Sequence, residues 1–98
     1  MRIHFERAGG VAGVRLAREI VSAALPQEEQ QRLEQLVADS GFFTLRDGGG
    51  NGAGGDRFEY AITIDAGSGA HTVHIAEAAM PPQMRPLLQW LIRMARSF

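Results

Sequence analysis

Cysteine and lysine are both missing from this chain of 98 residues. Without cysteine there is no disulfide, thiolate-held metal, iron–sulfur cluster or cysteine nucleophile. Without lysine there is no P-loop, whose phosphate cradle ends in a Lys-Ser or Lys-Thr pair. A dominant charge is missing too. Ten arginines against eleven acidic residues leave a net charge of −1, too little for a domain that binds nucleic acid by neutralising many phosphates. No apolar run approaches the roughly 20 residues of a membrane span. The opening residues Met1-Arg2-Ile3-His4-Phe5-Glu6-Arg7 put charges where a secretory signal needs an apolar stretch. The expectation is a soluble, cytoplasmic domain with neither nucleic acid nor membrane as partner. The lack of lysine beside abundant Ala, Gly and Arg points to a GC-rich bacterial genome. Apolar residues make up 45% and charged residues 21%, the balance of an ordinary folded domain. The length supports one core, so residues 1–98 read as a single domain.

The apolar pattern then divides the chain. Ile3 and Phe5 share one side of an alternating run and His4 and Glu6 the other, the period of a strand. Gly9-Gly10 is a turn signal, and a second strand is expected from about Val11 to Ile20, with Gly13 marking a bulge or widened turn. Pro26 suits the first position of a helix. Glu28 and Glu29 favour its N-terminal dipole, Leu33, Leu36 and Val37 form its stripe, and Gly41 ends it. Phe42, Phe43 and Leu45 are expected to fold back as a short extended piece. Six of the eight residues from Gly48 to Gly55 are glycine, so 46–56 reads as a mobile loop that buries nothing. Phe58, Tyr60, Ile62 and Ile64 face one way along the clearest strand. Gly67-Ser68-Gly69 turns the chain into an alternating run over 70–76, making a second hairpin. Pro81-Pro82 opens a last helix starting near Met84 or Arg85, with Pro86 tolerated only in its first turn.

The order is β-β-α-β-β-α. Two hairpins, each with one apolar face, need a cover, and two amphipathic helices supply it. The expected fold is α+β: a four-stranded, largely antiparallel sheet with both helices on one face. Its expected core is Phe5, Val14, Leu16, Leu33, Leu36, Phe58, Tyr60, Ile62, Ile64, Val73, Ile75, Leu87, Leu88 and Leu91.

Motifs for catalysis are lacking. His71 and His74 are three apart on a strand, so they face opposite sides and cannot grip one ion there. Ser22, Ser40, Ser68 and Ser97 belong to no nucleophile motif. The chain therefore reads as a non-enzyme with no cofactor and no metal of its own. The glycine loop precedes a strand, whereas phosphate-binding loops precede helix N-termini. It is either a connector or a recognition loop. Trp90 lies off the main stripe of the last helix. It either packs at the helix–sheet margin or serves as an exposed anchor for a partner.

Phe5-Glu6-Arg7-Ala8-Gly9-Gly10-Val11-Ala12-Gly13-Val14-Arg15-Leu16, Gly41-Phe42-Phe43, Asp56-Arg57-Phe58-Glu59-Tyr60 and Arg85-Pro86-Leu87-Leu88-Gln89-Trp90-Leu91 follow one another in that order. Together they resemble the emfourin-like proteins over nearly the whole chain. The Gly9–Gly13 hairpin and the Asp56–Tyr60 strand start are the more specific parts. Those proteins are small bacterial inhibitors of protealysin-type peptidases, zinc enzymes of the thermolysin family. The resemblance implies a non-catalytic protease inhibitor, monomeric when free, whose partner is a protealysin-like metallopeptidase. The family's linker before the first helix often carries acidic residues. Here it reads Ser22-Ala23-Ala24, which argues against a metal-directed role for that linker.

An inhibitor of such an enzyme fills the zinc's open position with an oxygen ligand and the neighbouring pocket with an apolar side chain. The expected contact set is Gly9, Gly10, Val11 and Ala12 of the hairpin tip with the loop carboxylates Asp47 and Asp56. Asp56 is the better zinc ligand because it abuts a fixed strand and loses less entropy on docking. This placement assumes that the first helix returns the chain to the hairpin end. Leu25 with the 67–69 turn forms the rival surface at the other end. The alternative function is a regulatory interaction module using the C-terminal helix and Trp90.

Overall fold

The computed structural model describes residues 1–9, 15–45, 58–67 and 69–96. Six main elements appear in the expected order: β1 (Arg2–Gly9), β2 (Leu16–Val21), α1 (Gln27–Ser40), β3 (Phe58–Asp65), β4 (Ala70–Ala76) and α2 (Arg85–Arg96). Single 3-10 turns lead into both helices and follow α1 and β4. The strands form one antiparallel sheet in the order β2-β1-β3-β4. The two hairpins thus meet through their first strands, and β1 and β3 form the middle.

Alternation decides which face is covered. Along β1, Ile3 and Phe5 are buried while Arg2 and His4 are exposed. Along β3, Tyr60, Ile62 and Ile64 are buried and Asp65 is exposed. On α1 the stripe Leu33, Val37 and Ser40 is buried. On α2 it is Leu87, Leu88, Trp90, Leu91 and Ala95. These groups form one core with Phe42, Met80 and Met84. The other sheet face carries His4, Glu19, Thr72 and His74 to solvent.

Several details depart from the expectations. Arg15 lies outside β2, which runs from Leu16 to Val21, rather than from Val11 to Ile20. Leu16 and Phe58, each the first residue of its strand, are only partly buried, as is Leu36 on the shoulder of the α1 stripe. Val14 lies outside the described residues. Ile3, Ile20, Val37, Phe42, Met80, Met84, Trp90 and Ala95 fill the core beyond the expected set. Pro26 stands just before α1 with extended backbone, φ −55° and ψ 150°. Its carbonyl accepts the Gln30 N–H at 3.0 Å.

Residues 42–44 are a 3-10 turn, not an extended piece. Gly41 takes the left-handed conformation at φ 67°, which reverses the chain at no side-chain cost. Ser40 stabilises the reversal. Its buried hydroxyl donates to the Val37 carbonyl at 2.7 Å and accepts the Phe42 N–H at 3.1 Å. Phe42 thereby drops into the core while Phe43 stays 46% exposed.

Trp90 is only 4% exposed. Its indole N–H donates to Glu29 Oε2 at 3.3 Å, so the ring joins α2 to α1. A buried indole needs such a partner for its one donor. The role of exposed anchor is therefore overturned for this residue.

Ile62, wholly buried in β3, measures the core. Ile62→Ala is expected to cost ~2–5 kcal/mol in denaturant unfolding. A loss below about half a kcal/mol, the range of an exposed substitution, would place this side chain outside the core.

Candidate functional site

The antiparallel register sets two ends of the sheet. At one end Gly9 pairs with Phe58, and at the other Arg2 pairs with Asp65. Seven strand steps separate them, roughly 24 Å. Of the expected contact set, only Gly9 is among the described residues. It has φ 98°, a conformation suited to glycine as the hairpin turn begins. Gly10, Val11, Ala12, Asp47 and Asp56 lie outside the described residues.

Their described neighbours show where the chain departs and returns. Phe58, two residues after Asp56, stands beside Gly9. Leu45, two residues before Asp47, is elsewhere. Its carbonyl accepts a hydrogen bond from His71 Nε2 at 3.0 Å, and His71 pairs with Ile64 near the β3–β4 turn. The Ser22 N–H bonds the Met1 carbonyl at 2.8 Å, so the segment leading into α1 starts from that same end. Helix α1 leaves and rejoins the sheet at one end, crossing its covered face from the β2 side to the β4 side. The expectation that α1 returns the chain to the hairpin end is corrected. The wide apolar face needs a helix laid across it, and Leu33, Val37 and the Gly41 reversal set that path.

Beneath Gly9, on the helix-covered face, lies a polar group that the sequence reading missed. Arg7 continues the Ile3–Phe5 side of β1 and pairs with Tyr60. Its guanidinium carbon lies 4.3 Å from the centroid of the Phe58 ring, a cation–π stack. Its Nε is buried and has no hydrogen-bond partner among the described residues. Tyr60 stacks on Phe5 with ring centroids 6.1 Å apart and donates its hydroxyl proton to Glu77 Oε1 at 2.9 Å. Burial, followed by the bond to Glu77, pushes the Tyr60 phenol above its ordinary value of 10.0, while the Arg7 charge and the Arg7 side-chain bond to the phenol oppose that rise. The legible signal was the period: a charged residue at the third place of an inward-facing series.

On the opposite sheet face, Glu6 receives Arg15 Nη2 at 2.9 Å and contacts His4 Nε2 at 3.3 Å. The Arg15 bond, then the His4 bond, holds its carboxyl below the ordinary carboxylate range. His71 and His74 point to opposite sides as their spacing requires: His71 is half-buried against Phe42, and His74 is exposed. Among the described residues no three His, Asp or Glu side chains are placed to hold a metal. At the far end, Leu25 is half-buried, and its carbonyl accepts the Gln30 side chain at 2.8 Å. The outer side of α2 bears a shallow depression of about 420 Å³ between Gln89, Ile92, Arg93 and Arg96.

Against known proteins, the emfourin family model matches residues 5–92. The chain belongs to the emfourin family. The match runs from Phe5 in β1 to Ile92 in α2 and so takes in every element of the sheet and both helices. Among solved structures, Emfourin (M4in) from Serratia proteamaculans, an M4 family peptidase inhibitor, is similar at 23% identity and a TM-score of 0.49, over 88% of this chain and 83% of that one. Comparison with curated proteins finds no match. The emfourin span includes Arg7, Gly9, Phe58 and Tyr60, so the hairpin-end group lies inside it.

Tyr60 is the only tyrosine of this emfourin, so tyrosinate absorbance reads it alone. Its midpoint is expected above 10, the ordinary value, and Glu77→Gln is expected to lower it. Because the folded chain holds this proton more tightly than the unfolded chain, the group's contribution to stability is full below the unfolded pKa. It is lost as pH rises through the folded pKa. An unshifted midpoint in the folded protein would contradict the burial of the phenol.

Proposed function

We propose that this chain is a reversible protein inhibitor of a thermolysin-family zinc metallopeptidase, with a protealysin-like enzyme as its partner. The observation that carries this reading is the emfourin family match across residues 5–92. The solved relative's description as an M4 family peptidase inhibitor names the target class. The role is non-enzymatic: the inhibitor binds its partner and transforms nothing.

The chemistry needed is small. A zinc peptidase keeps one coordination position open for water or substrate. A carboxylate offered on a rigid body fills it, and an apolar side chain occupies the adjoining pocket. The hairpin end supports this use, because the described flanks of both segments meet there: Gly9 before the Val11-Ala12 tip and Phe58 after Asp56. Asp56 remains the proposed zinc ligand, inserted with Gly10, Val11 and Ala12. The chain enters the Asp47 side of that segment from Leu45, at the opposite end, which leaves Asp56 as the carboxylate of choice. A β-strand root keeps the entropy lost on docking low.

The test is inhibition of peptide cleavage by purified protealysin-like enzymes. The wild-type protein is expected to inhibit at micromolar excess or below. Val11→Asp and Asp56→Ala are each expected to raise the inhibition constant at least tenfold, about 1.4 kcal/mol, with thermal melts unchanged. Leu25→Asp is expected to inhibit normally. If Leu25→Asp alone loses inhibition, the contact lies at the far end of the sheet. No inhibition of several such enzymes would end the proposal.

A further inference from the structure

Arg7 is braced from two sides, by the Phe58 ring and by the Tyr60 hydroxyl, yet one of its donors stays unmet. It is half-buried on β1, its guanidinium lies 4.3 Å from the Phe58 ring centroid, and its buried Nε has no hydrogen-bond partner among the described residues. A buried donor without an acceptor destabilises the fold that contains it, more so when the group is charged. The nearby carboxylates are engaged elsewhere. Glu77 accepts the Tyr60 hydroxyl, and Glu6, on the opposite sheet face, is held by Arg15 and His4. Among the described residues no carboxylate pairs with Arg7.

The same geometry suits a partner's anion. Stacking on Phe58 fixes the guanidinium plane, which leaves less freedom to lose when a planar acceptor arrives. Guanidinium matches carboxylate in shape and can donate two parallel hydrogen bonds. The location is two residue pairs along the ladder from Gly9 and Phe58, at the base of the tip assigned to the enzyme cleft.

We infer that Arg7, braced on Phe58, is the docking point for a carboxylate of the target peptidase at the rim of its cleft. This rests on the inhibitor reading and adds to it a named residue and the chemistry of its counterpart. Arg7 is a binding residue whose Nε finds no acceptor among the described residues. Removing its charge therefore weakens inhibition without weakening the fold, which a residue retained for structure cannot do.

Two variants test this against a protealysin-like peptidase. Arg7→Met keeps the packing on Phe58 and removes both charge and donors. Arg7→Lys keeps the charge without the planar fork. Arg7→Met is expected to raise the inhibition constant at least tenfold and to flatten its dependence on salt, since one charge pair is gone. Its denaturation midpoint is expected to equal or exceed that of the wild type. Arg7→Lys is expected to fall between the two in inhibition and to keep the wild-type salt dependence. Unchanged inhibition by Arg7→Met, with the wild type inhibiting, overturns this inference and leaves the inhibitor reading standing. A fall in the midpoint of Arg7→Met that accounts for its loss of inhibition also overturns it. A wild-type protein that inhibits no such enzyme overturns both.

Discussion

The pairing of β1 with β3 holds the molecule together. Eight residue pairs run from Arg2↔Asp65 to Gly9↔Phe58, and they join two hairpins that would otherwise be separate. An isolated hairpin is marginal in water, whereas a four-stranded sheet with an apolar face supports itself once covered. Ile3, Phe5, Ile62 and Ile64, the middle of that pairing, are all fully buried. Strand pairing and core burial therefore reinforce each other at the same residues. A one-residue slip would turn the apolar side chains of whichever strand moved, Ile3 and Phe5 or Ile62 and Ile64, to the solvent face.

The helices follow from that face. Its width spans four strands, and neither helix covers it alone. α1 crosses it, and α2 lies beside α1, tied to it by Trp90 and Glu29. Ser40 and Gly41 matter because α1 must stop and turn where the sheet's edge is reached. The helical layer thereby seals the middle of the sheet. Toward the hairpin end, the covered face changes from Ile and Phe to Arg7, Tyr60 and Glu77. Arg7 and Phe58 at that end are only partly buried, unlike the sealed middle of the sheet.

Two kinds of polar group occur at these borders. Ser40, Trp90, His71 and Tyr60 each have a hydrogen-bond partner within the chain, and each locks one element to another. Arg7 Nε does not find such a partner among the described residues. Satisfied groups of the first kind specify structure.

Much of this was legible along the chain. Period-two runs through Ile3–Phe5 and Phe58–Ile64 identified the strands and their inward faces. The glycines and prolines marked the breaks, and the motifs around Gly9 and Phe58 carried the family. Those signals are local: strand alternation, helix stripes and special backbone angles depend on residues a few places apart. The order β2-β1-β3-β4, the crossing path of α1 and the burial of Trp90 were decided by tertiary packing. So was the meeting of Arg7 with Phe58, 51 places along the chain by the numbering. Contacts between distant residues depend on which faces must be covered and how far each helix reaches across them. The sequence by itself determined what each segment is and which side it buries; only the folded sheet decided which segments share an end, because that follows from the register of β1 on β3.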